Sequence, residues 1–145
     1  MKKKFLKNKI KEIKLKEIVH PKGDITKILT KDSIFFQNFG ECYLSEIKPK
    51  KIKAWRYHKR STQRIFLISG KCKIVGINGK KIYKINLSEK DKKLIIIPPK
   101  YWYGFKNTGV KKVKLLNITN KKYNEKEVLR KNDNELNYAW KKKNN

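Results

Sequence analysis

The chain contains little cysteine and proline, and it has no long apolar run. Its 145 residues include 2 cysteines and 4 prolines. Cys42 and Cys72 lack a CxxC spacing, so we interpret them as free thiols in a reducing compartment, with the cytoplasm as the expected location. No stretch approaches the roughly 20 apolar residues that cross a bilayer, so no membrane span is expected. Residues 1–7 are basic but lack the apolar region of a signal peptide.

Acidic residues are also scarce. The formal net charge is +28, from 40 basic and 12 acidic residues. Such an excess indicates either a polyanion-binding surface or a bias in composition. Only 4 of the basic residues are arginine, the side chain that reads bases and phosphates bidentately, and lysines occur along nearly the whole chain. We favour compositional bias and expect no specific nucleic-acid partner, although the charge would steer a phosphorylated ligand toward the protein.

Helical patterns are rare, and short β runs between polar turns dominate. A chain of this length forms one domain with its own core. The predicted strands are Ser33–Phe39, Cys42–Ile47, Ile52–His58, Arg64–Ile68, Cys72–Ile77, Lys81–Leu87, Leu94–Ile97, Trp102–Lys106 and Val113–Thr119. Asn78-Gly79 predicts a tight hairpin, and only Asn124–Arg130 predicts a short helix. The pattern indicates an all-β sandwich or jelly-roll barrel.

One segment has the spacing of a barrel metal site but few of its ligands. Many small barrels bind a metal with an HxH pair, an acid five residues later and a glycine seven beyond that. This chain has Arg56, His58, Gln63 and Gly70 at those places. Divalent metals need three or four His, Cys, Asp or Glu ligands, and Arg56 would repel a metal. We therefore expect neither a bound metal nor another cofactor.

Strand alternation predicts which of these side chains lie together. Arg56 and His58 share one strand face with Ala54. The other face carries Lys53, Trp55 and Tyr57. A buried arginine beside a histidine needs an anion or a carboxylate nearby. The pair therefore indicates either a site for an anionic or carbonyl-bearing ligand, or a structural network in which Arg56 bridges to Asp133.

These residues resemble one known family. The segments that carry the resemblance are Ile52–Lys59, Ile97–Phe105 and Asn132–Trp140. They are similar to the dTDP-4-dehydrorhamnose 3,5-epimerase-like cupins, including the WxcM-like and sugar 3,4-ketoisomerase branches. The resemblance implies a metal-independent homodimeric cupin jelly-roll barrel (a double-stranded β-helix), here with a short C-terminal helix. It covers about 15–140, which predicts one cupin domain there. The lysine-rich ends of the chain predict a basic arm over 1–14 and a disordered basic tail over 141–145.

The resemblance also implies roles for individual residues. The epimerases have an Arg-x-x-His element that reads Lys53 to Arg56 here, so arginine replaces the catalytic base. Asn117 stands at the place of the acid tyrosine, six residues before Tyr123. Asp133 keeps the place of the aspartate that supports the base. In the ketoisomerase branch the element is His-x-His, and its second histidine survives as His58.

The predicted catalytic residues are His58, Arg56 and Tyr103. His58 would act as the base for a proton α to a ketone, Arg56 would stabilise the enolate oxygen, and Tyr103 would return the proton. The predicted substrate-binding residues are Lys53, Gln63, Trp102, Asn117, Tyr123 and Asp133.

The sequence is compatible with three functions. The first is an epimerase or ketoisomerase that acts on a 4-keto deoxysugar nucleotide for surface polysaccharides. The second is a non-catalytic cupin that binds a nucleotide sugar or carbohydrate, because the family's base and acid are both replaced. The third is a nucleic-acid binder, which would bind arbitrary DNA with steep salt dependence.

Overall fold

The structure is a computed structural model, and it describes residues 8–33 and 36–140. Within these residues the chain forms twelve strands and a single turn of 3-10 helix, η1. The elements are β1 (Lys11–Lys14), β2 (Glu17–Ile18), β3 (Ile25–Thr26), β4 (Glu41–Ile47), β5 (Ile52–His58), β6 (Gln63–Ser69), β7 (Lys71–Asn78), β8 (Lys81–Ser88), β9 (Lys93–Ile97), β10 (Trp102–Asn107), β11 (Val113–Thr119), η1 (Glu125–Glu127) and β12 (Val128–Arg130).

The strands form two five-stranded antiparallel sheets that enclose the main core. One sheet has the order β1-β9-β6-β11-β4, and the other has the order β12-β5-β10-β7-β8. A separate ribbon pairs β2 with β3. Inward-facing residues of both sheets, such as Ile65, Ile74 and Leu115, are buried together. Two sheets packed around one core confirm the predicted all-β jelly-roll barrel.

Strand β6 is buried on both of its faces. Ile65 and Leu67 face the main core, whereas Phe66 packs with Leu94 and Ile96 in a second cluster on the outer side of the sheet. Partly buried Ile13, Leu15, Ile28 and Leu29 cover this second cluster. The N-terminal part of the chain therefore shields the outer face of β6.

The predicted hairpin is confirmed, with its loop one residue later than expected. Asn78 of β7 pairs with Lys81 of β8, so Gly79 and Lys80 form the two-residue loop. Gly79 has a φ of 59°, a left-handed conformation that glycine adopts without steric cost.

The predicted C-terminal helix is not formed. Only Glu125–Glu127 form a 3-10 turn, and Val128–Arg130 continue as strand β12. Strand β12 pairs with β5, with Val128 opposite His58. The backbone groups of these three residues pair with the N–H and C=O groups at the otherwise open edge of β5. A helix could not do this, because its own backbone groups are hydrogen-bonded within it.

A basic arm at one end of the chain and a disordered basic tail at the other were predicted from the lysine-rich sequence. Lys11–Lys14, which belong to the predicted basic arm over 1–14, form strand β1 and pair with β9. Ile10 just before them is buried in the main core. Residues 1–7 of the predicted arm and the predicted tail over 141–145 lie outside the described residues, and the predicted division into domains stays a prediction.

The predicted strand over 33–39 includes Ile34 and Phe35, which also lie outside the described residues. Residues 36–40 form no strand. Among the residues that the structure describes, no helix is long and apolar enough to span a membrane.

Candidate active site

Strand β5 supplies several polar side chains of the site, and its pairing with β10 is irregular. Tyr103 lies opposite Arg56, and the next residue of β10, Gly104, lies opposite Ala54. Trp55 is therefore an extra residue between two paired positions, and it is 1% exposed. An extra residue of this kind is a β-bulge, and it shifts the alternation of side chains along its strand.

The bulge brings Lys53 to the same cavity as Arg56. Lys53 lies opposite Phe105, which packs against the main core, and Arg56 lies opposite the buried Tyr103. Both cationic side chains line one cavity. The prediction that Lys53 faces away from Arg56 is therefore wrong, because it assumed an unbroken alternation along the strand.

This cavity has a volume of about 420 Å³ and is lined by residues of both sheets. Ile65, Phe105 and Leu115 form apolar parts of its wall. Tyr43, Tyr103 and Asn117 contribute polar groups. A volume in this range, with apolar walls and a few polar groups, is typical of a small-molecule site.

The cavity carries more positive than negative charge. Its described lining has one carboxylate, that of Glu135, and four cationic side chains: Lys53, Arg56, Arg130 and Lys131. Burial lowers the pKa of Lys53, and the neighbouring Arg56 adds to this effect. Nζ of Lys53 donates to Oγ of Ser45 at 2.9 Å. A negatively charged ligand would offset this excess of cations.

Tyr103 and His58 form a hydrogen-bonded pair at one side of the cavity. The phenol oxygen of Tyr103 lies 3.0 Å from Nε2 of His58. The two rings are stacked, with centroids 5.8 Å apart and planes inclined by 15°. Tyr103 is 4% exposed, and burial raises its pKa, so its hydroxyl is protonated at neutral pH. The pair contains two groups that can hold or pass on a proton.

Glu127 lies on the other side of the His58 ring. Its Oε1 is 2.9 Å from Nδ1 of His58, and it also accepts from Oγ of Ser61 at 2.6 Å. Its Oε2 accepts from the backbone N–H of Arg60 at 2.8 Å. Burial opposes ionisation of Glu127, but these hydrogen bonds outweigh burial and lower its pKa. Glu127 is therefore a carboxylate that can only accept hydrogen bonds.

The carboxylate determines which nitrogen of His58 carries the proton. Nδ1 must donate to Glu127, so Nε2 of the neutral ring accepts from the hydroxyl of Tyr103. Burial lowers the pKa of His58 below its ordinary value of 6.5, although Glu127 acts in the opposite direction. Arg56 adds to the lowering. At neutral pH the ring is uncharged and can accept a proton.

Asn117 and Gln63 form a buried amide pair beside the cavity. Nδ2 of Asn117 donates to Oε1 of Gln63 and to the hydroxyl of Tyr43, both at 2.8 Å. Within the described part of the chain, Nε2 of Gln63 and Oδ1 of Asn117 have no hydrogen-bond partner. Asn117 lines the cavity, and Gln63 supports it from behind.

Trp102 lies on the outer face of β10. Its ring centroid is 5.2 Å from that of Tyr57, and Nζ of Lys131 lies 4.8 Å from it. The neighbouring residue Tyr103 points to the cavity, so alternation along β10 places Trp102 on the other side. The predicted role of Trp102 in substrate binding stays a prediction.

Tyr123 and Asp133 lie at the margin of the site. Tyr123 is 49% exposed, and its hydroxyl accepts from Nη2 of Arg130, which lines the cavity. The backbone carbonyl of Asp133 accepts from Nε1 of Trp55 at 3.3 Å. Arg56 and Asp133 are both described, and no ion pair joins them, so the predicted pairing of these two residues is wrong.

Sequence reasoning missed several residues of the site, among them Glu127, Tyr43, Arg130 and Lys131. Tyr43 had a usable signal, because it lies two and four residues before Ser45 and the buried Ile47 on a predicted strand. Glu127 and Arg130 lie in the segment predicted as a helix, where nothing indicated pairing with β5. Their contribution depends on a strand of three residues that only the tertiary structure defines.

The structure also shows whether potential metal ligands lie close together. In the ranges 8–33 and 36–140, no three His, Cys, Asp or Glu side chains cluster as metal ligands do. Within the predicted metal-like frame, the ring of His58 lies beside one potential ligand, the carboxylate of Glu127, at 2.9 Å.

Solved structures share this fold. The structure of a dTDP-sugar isomerase from Desulfovibrio desulfuricans G20 is similar, with a TM-score of 0.85, 28% identity and coverage of 90% of each chain. A sugar 3,4-ketoisomerase from Thermoanaerobacterium thermosaccharolyticum, in complex with TDP, matches with a TM-score of 0.75, 22% identity and coverage of 86% of this chain and 89% of that one. A dTDP-4-dehydrorhamnose 3,5-epimerase from Elizabethkingia anophelis NUHP1 has a TM-score of 0.73, 13% identity and coverage of 83% and 74%.

The sequence comparison agrees with the resemblance carried by the motifs. No curated protein sequence matches the chain. Residues 8–140 match the family model described as WxcM-like, C-terminal (FdtA). That match covers most of the chain and confirms the resemblance stated from the motifs. The chain belongs to the WxcM-like, C-terminal family.

Proposed function

We propose that the protein is a metal-independent nucleotide-sugar isomerase that epimerises or ketoisomerises a 4-keto deoxysugar nucleotide for surface polysaccharides. The observation that supports this most directly is the hydrogen-bonded pair of His58 and Tyr103 at a cationic cavity. A neutral imidazole and a phenol are suited to moving a proton α to a ketone. The similarity to a dTDP-sugar isomerase at 28% identity supports the same class of reaction.

The cations of the cavity match two negatively charged groups in such a reaction, which are the diphosphate of the substrate and the oxygen of the enolate. A nucleotide sugar carries a diphosphate, and Lys53, Arg130 and Lys131 provide cations at the cavity wall. Removing a proton α to the ketone places negative charge on the ketone oxygen. Arg56 lies opposite Tyr103 on the paired strand, so its guanidinium is on the same side as the acid–base pair and stabilises that enolate.

Exchange of carbon-bound hydrogen with solvent tests the function. The protein is incubated in deuterated water with TDP-4-keto-6-deoxyglucose, a compound bound by a solved ketoisomerase of the same fold. Proton NMR should show deuterium entering a position next to the ketone. His58→Asn should abolish exchange and retain binding of TDP, whereas His20→Asn, a change at an exposed histidine, should exchange as the parent does. Addition of EDTA should leave the rate unchanged.

A non-catalytic nucleotide-sugar-binding protein is the second candidate. It is favoured by the replacement of the family's base by Arg56 and of its acid by Asn117. Such a protein would bind the same compounds and give no deuterium exchange with any 4-keto nucleotide sugar. A panel of dTDP, UDP and GDP 4-keto sugars, followed by thermal shift and by NMR, separates the two candidates.

The homodimer implied by the resemblance and the cytoplasmic location expected from the free cysteines stay predictions. Light scattering coupled to gel filtration at several protein concentrations measures the mass in solution. A mass near the 17.3 kDa of one chain at every concentration would contradict the dimer.

A further inference from the structure

Tyr103 stands between the cavity and His58. Tyr103 is part of the cavity wall, together with Arg56 and Tyr43. His58 is not among the described residues that line the cavity. The Nε2 atom of His58, which is the acceptor of the neutral ring, is already engaged by the hydroxyl of Tyr103 at 3.0 Å. A ligand in the cavity therefore meets Tyr103 before it meets His58.

Behind Tyr103 the hydrogen bonds continue in one direction. Nδ1 of His58 donates to Glu127, and Glu127 is held in turn by Oγ of Ser61 and the backbone N–H of Arg60. The side chains of His58 and Glu127 are each 11% exposed. Three groups thus form a chain from the carboxylate, through the imidazole, to a phenol that faces the cavity.

We infer that Tyr103 exchanges the proton with the substrate and that His58 and Glu127 act through it as positioning residues. This inference rests on the proposed function, which leaves open the group that touches the substrate. It assigns the contact to Tyr103, and it gives Glu127 a role that the sequence did not indicate.

The proton transfers balance in a single step. The C–H bond next to the ketone breaks, and its electron pair becomes the enolate, whose oxygen faces Arg56. The released proton forms a new O–H bond on Tyr103, while the original hydroxyl proton of Tyr103 forms an N–H bond on Nε2 of His58. Tyr103 is a neutral phenol before and after the step, and His58 becomes an imidazolium beside Glu127. The reverse transfer returns a proton to the neighbouring carbon or to oxygen.

The surroundings favour this coupled transfer over a free phenolate. Burial raises the pKa of Tyr103, so losing its proton without gaining another is unfavourable. The imidazolium that forms is stabilised by a carboxylate 2.9 Å from Nδ1. The positive charge therefore develops at the group that has an anionic partner.

Two tyrosine variants test the contact with the substrate. Tyr103→Phe removes the hydroxyl and frees Nε2 of His58, whereas Tyr101→Phe is a matched control in the same segment. The hydroxyl of Tyr101 donates to the backbone of Asn8 and lies outside the cavity wall. Tyr103→Phe should lower deuterium exchange about 10² to 10⁴-fold with little change in KM, and Tyr101→Phe should exchange at the parent rate. Exchange within a few-fold of the parent rate in Tyr103→Phe would show that His58 reaches the substrate by itself and would overturn the inference.

Nitrogen NMR of the histidine rings tests the same arrangement without any substrate. The chain has two histidines, and a His20→Gln variant assigns the signals. The inference predicts the Nδ1–H tautomer for His58. Tyr103→Phe should raise the pKa of His58, because the neutral ring loses a hydrogen-bond donor, and Glu127→Gln should lower it, because the imidazolium loses its carboxylate.

The tautomer and the pKa of His58 test the inference separately from the proposed function, which deuterium exchange tests. An Nε2–H tautomer, or the same pKa of His58 in the parent and Tyr103→Phe proteins, would overturn the inference whether or not the protein turns over a sugar. The predicted tautomer and opposite pKa changes, together with no deuterium exchange by the parent, would support the arrangement and contradict the isomerase function.

Discussion

The carboxylate of Glu127 lies 2.9 Å from Nδ1 of His58, although the two residues are 69 positions apart in the sequence. The contact exists because β12, which follows Glu127, pairs with the edge of β5, which ends at His58. The carboxylate also closes the turn after β5 by accepting from the backbone N–H groups of Arg60 and Ser61. One side chain therefore orients the imidazole and holds the neighbouring turn.

Replacing Glu127 by glutamine should slow catalysis and shift its pH dependence. Glutamine is similar in size but uncharged, so the imidazolium of His58 loses its anionic partner. We expect kcat to fall about 10²-fold, and the acid limb of kcat/KM to move to lower pH because the pKa of His58 falls. Glu125→Gln is the matched control, since Glu125 is exposed in the same 3-10 turn. An unchanged pH profile in Glu127→Gln would contradict the role of the carboxylate.

The free energy of unfolding should fall as the solution is acidified. The folded-state pKa of His58 lies below its ordinary value of 6.5, so the unfolded chain binds a proton that the folded protein excludes. This stabilising contribution is complete above pH 6.5 and is lost as pH falls through the folded pKa. The pKa of Glu127 is also lowered, from an ordinary value of 4.5, so a second loss follows at lower pH.

Urea unfolding at a series of pH values measures this dependence. His58→Asn should flatten the part of the decline that begins just below pH 6.5, because the imidazole whose pKa is lowered is gone. The same substitution at the exposed His20 controls for loss of a histidine. A decline of equal slope in His58→Asn would assign the proton uptake to other groups.

Arg56→Met should weaken catalysis and raise the pKa of the base. The guanidinium disfavours a second positive charge on His58, so its removal moves the acid limb of the pH profile to higher pH. Loss of an enolate-stabilising cation should lower kcat about 10² to 10³-fold. Arg60→Met removes an exposed cation two residues from His58 and should leave both quantities unchanged. A movement of the acid limb to lower pH in Arg56→Met would contradict the arrangement.

Arg64→Met should destabilise the protein without affecting the cavity. Arg64 is fully buried, and its guanidinium donates to the backbone carbonyls of Phe36, Asn38 and Ile118. Methionine leaves these carbonyls without that donor, which costs about 1–3 kcal/mol of unfolding free energy. Urea unfolding should show this loss. The rate at which the folded protein exchanges deuterium into the 4-keto sugar should be unchanged. Arg60→Met is again the control, and equal stability of the two variants would contradict the anchoring role.

Gly104→Ala should disturb the packing beside the bulge. A Cβ at residue 104 would collide with the side chain of Ala54 and lie 3.0 Å from Cζ2 of Trp140. We expect a loss of about 1–3 kcal/mol and a change in tryptophan fluorescence as Trp140 is displaced. Gly109→Ala, where the nearest atom is 3.4 Å from a new Cβ, should leave both unchanged. A free energy of unfolding equal to that of the parent in Gly104→Ala would show that β5 and β10 can move apart here without loss of stability.

Much of the fold could be predicted from the alternation of apolar and polar residues. The predicted strands Ile52–His58 and Val113–Thr119 have the bounds that the structure shows, and Arg64–Ile68 differs from β6 by one residue at each end. Apolar runs bounded by turn residues define strands locally, because turn chemistry and period-two alternation depend only on near neighbours. Strand β12 could not be predicted in this way, since three residues form a strand only where an open edge accepts them.

The candidate site was predicted less completely. His58, Arg56 and Tyr103 were chosen from motif positions, and the structure brings them to one side of one cavity. Lys53 was assigned to the wrong face, because a bulge in a two-strand pairing is not visible in the alternation of one strand. Glu127 was missed, because its contact with His58 depends on the path of the chain after β11.

The sequence by itself determined the kind of fold, the family and the residue types available for chemistry. Local alternation specifies strands, and the motif spacings of the family are properties of the chain alone. Only the tertiary structure decided which residues act together. The bulge at Trp55 aligned Lys53 with Arg56, and the pairing of β12 with β5 placed Glu127 behind His58. Long-range strand pairing depends on which edges remain open after the sheets form, and no local pattern records that.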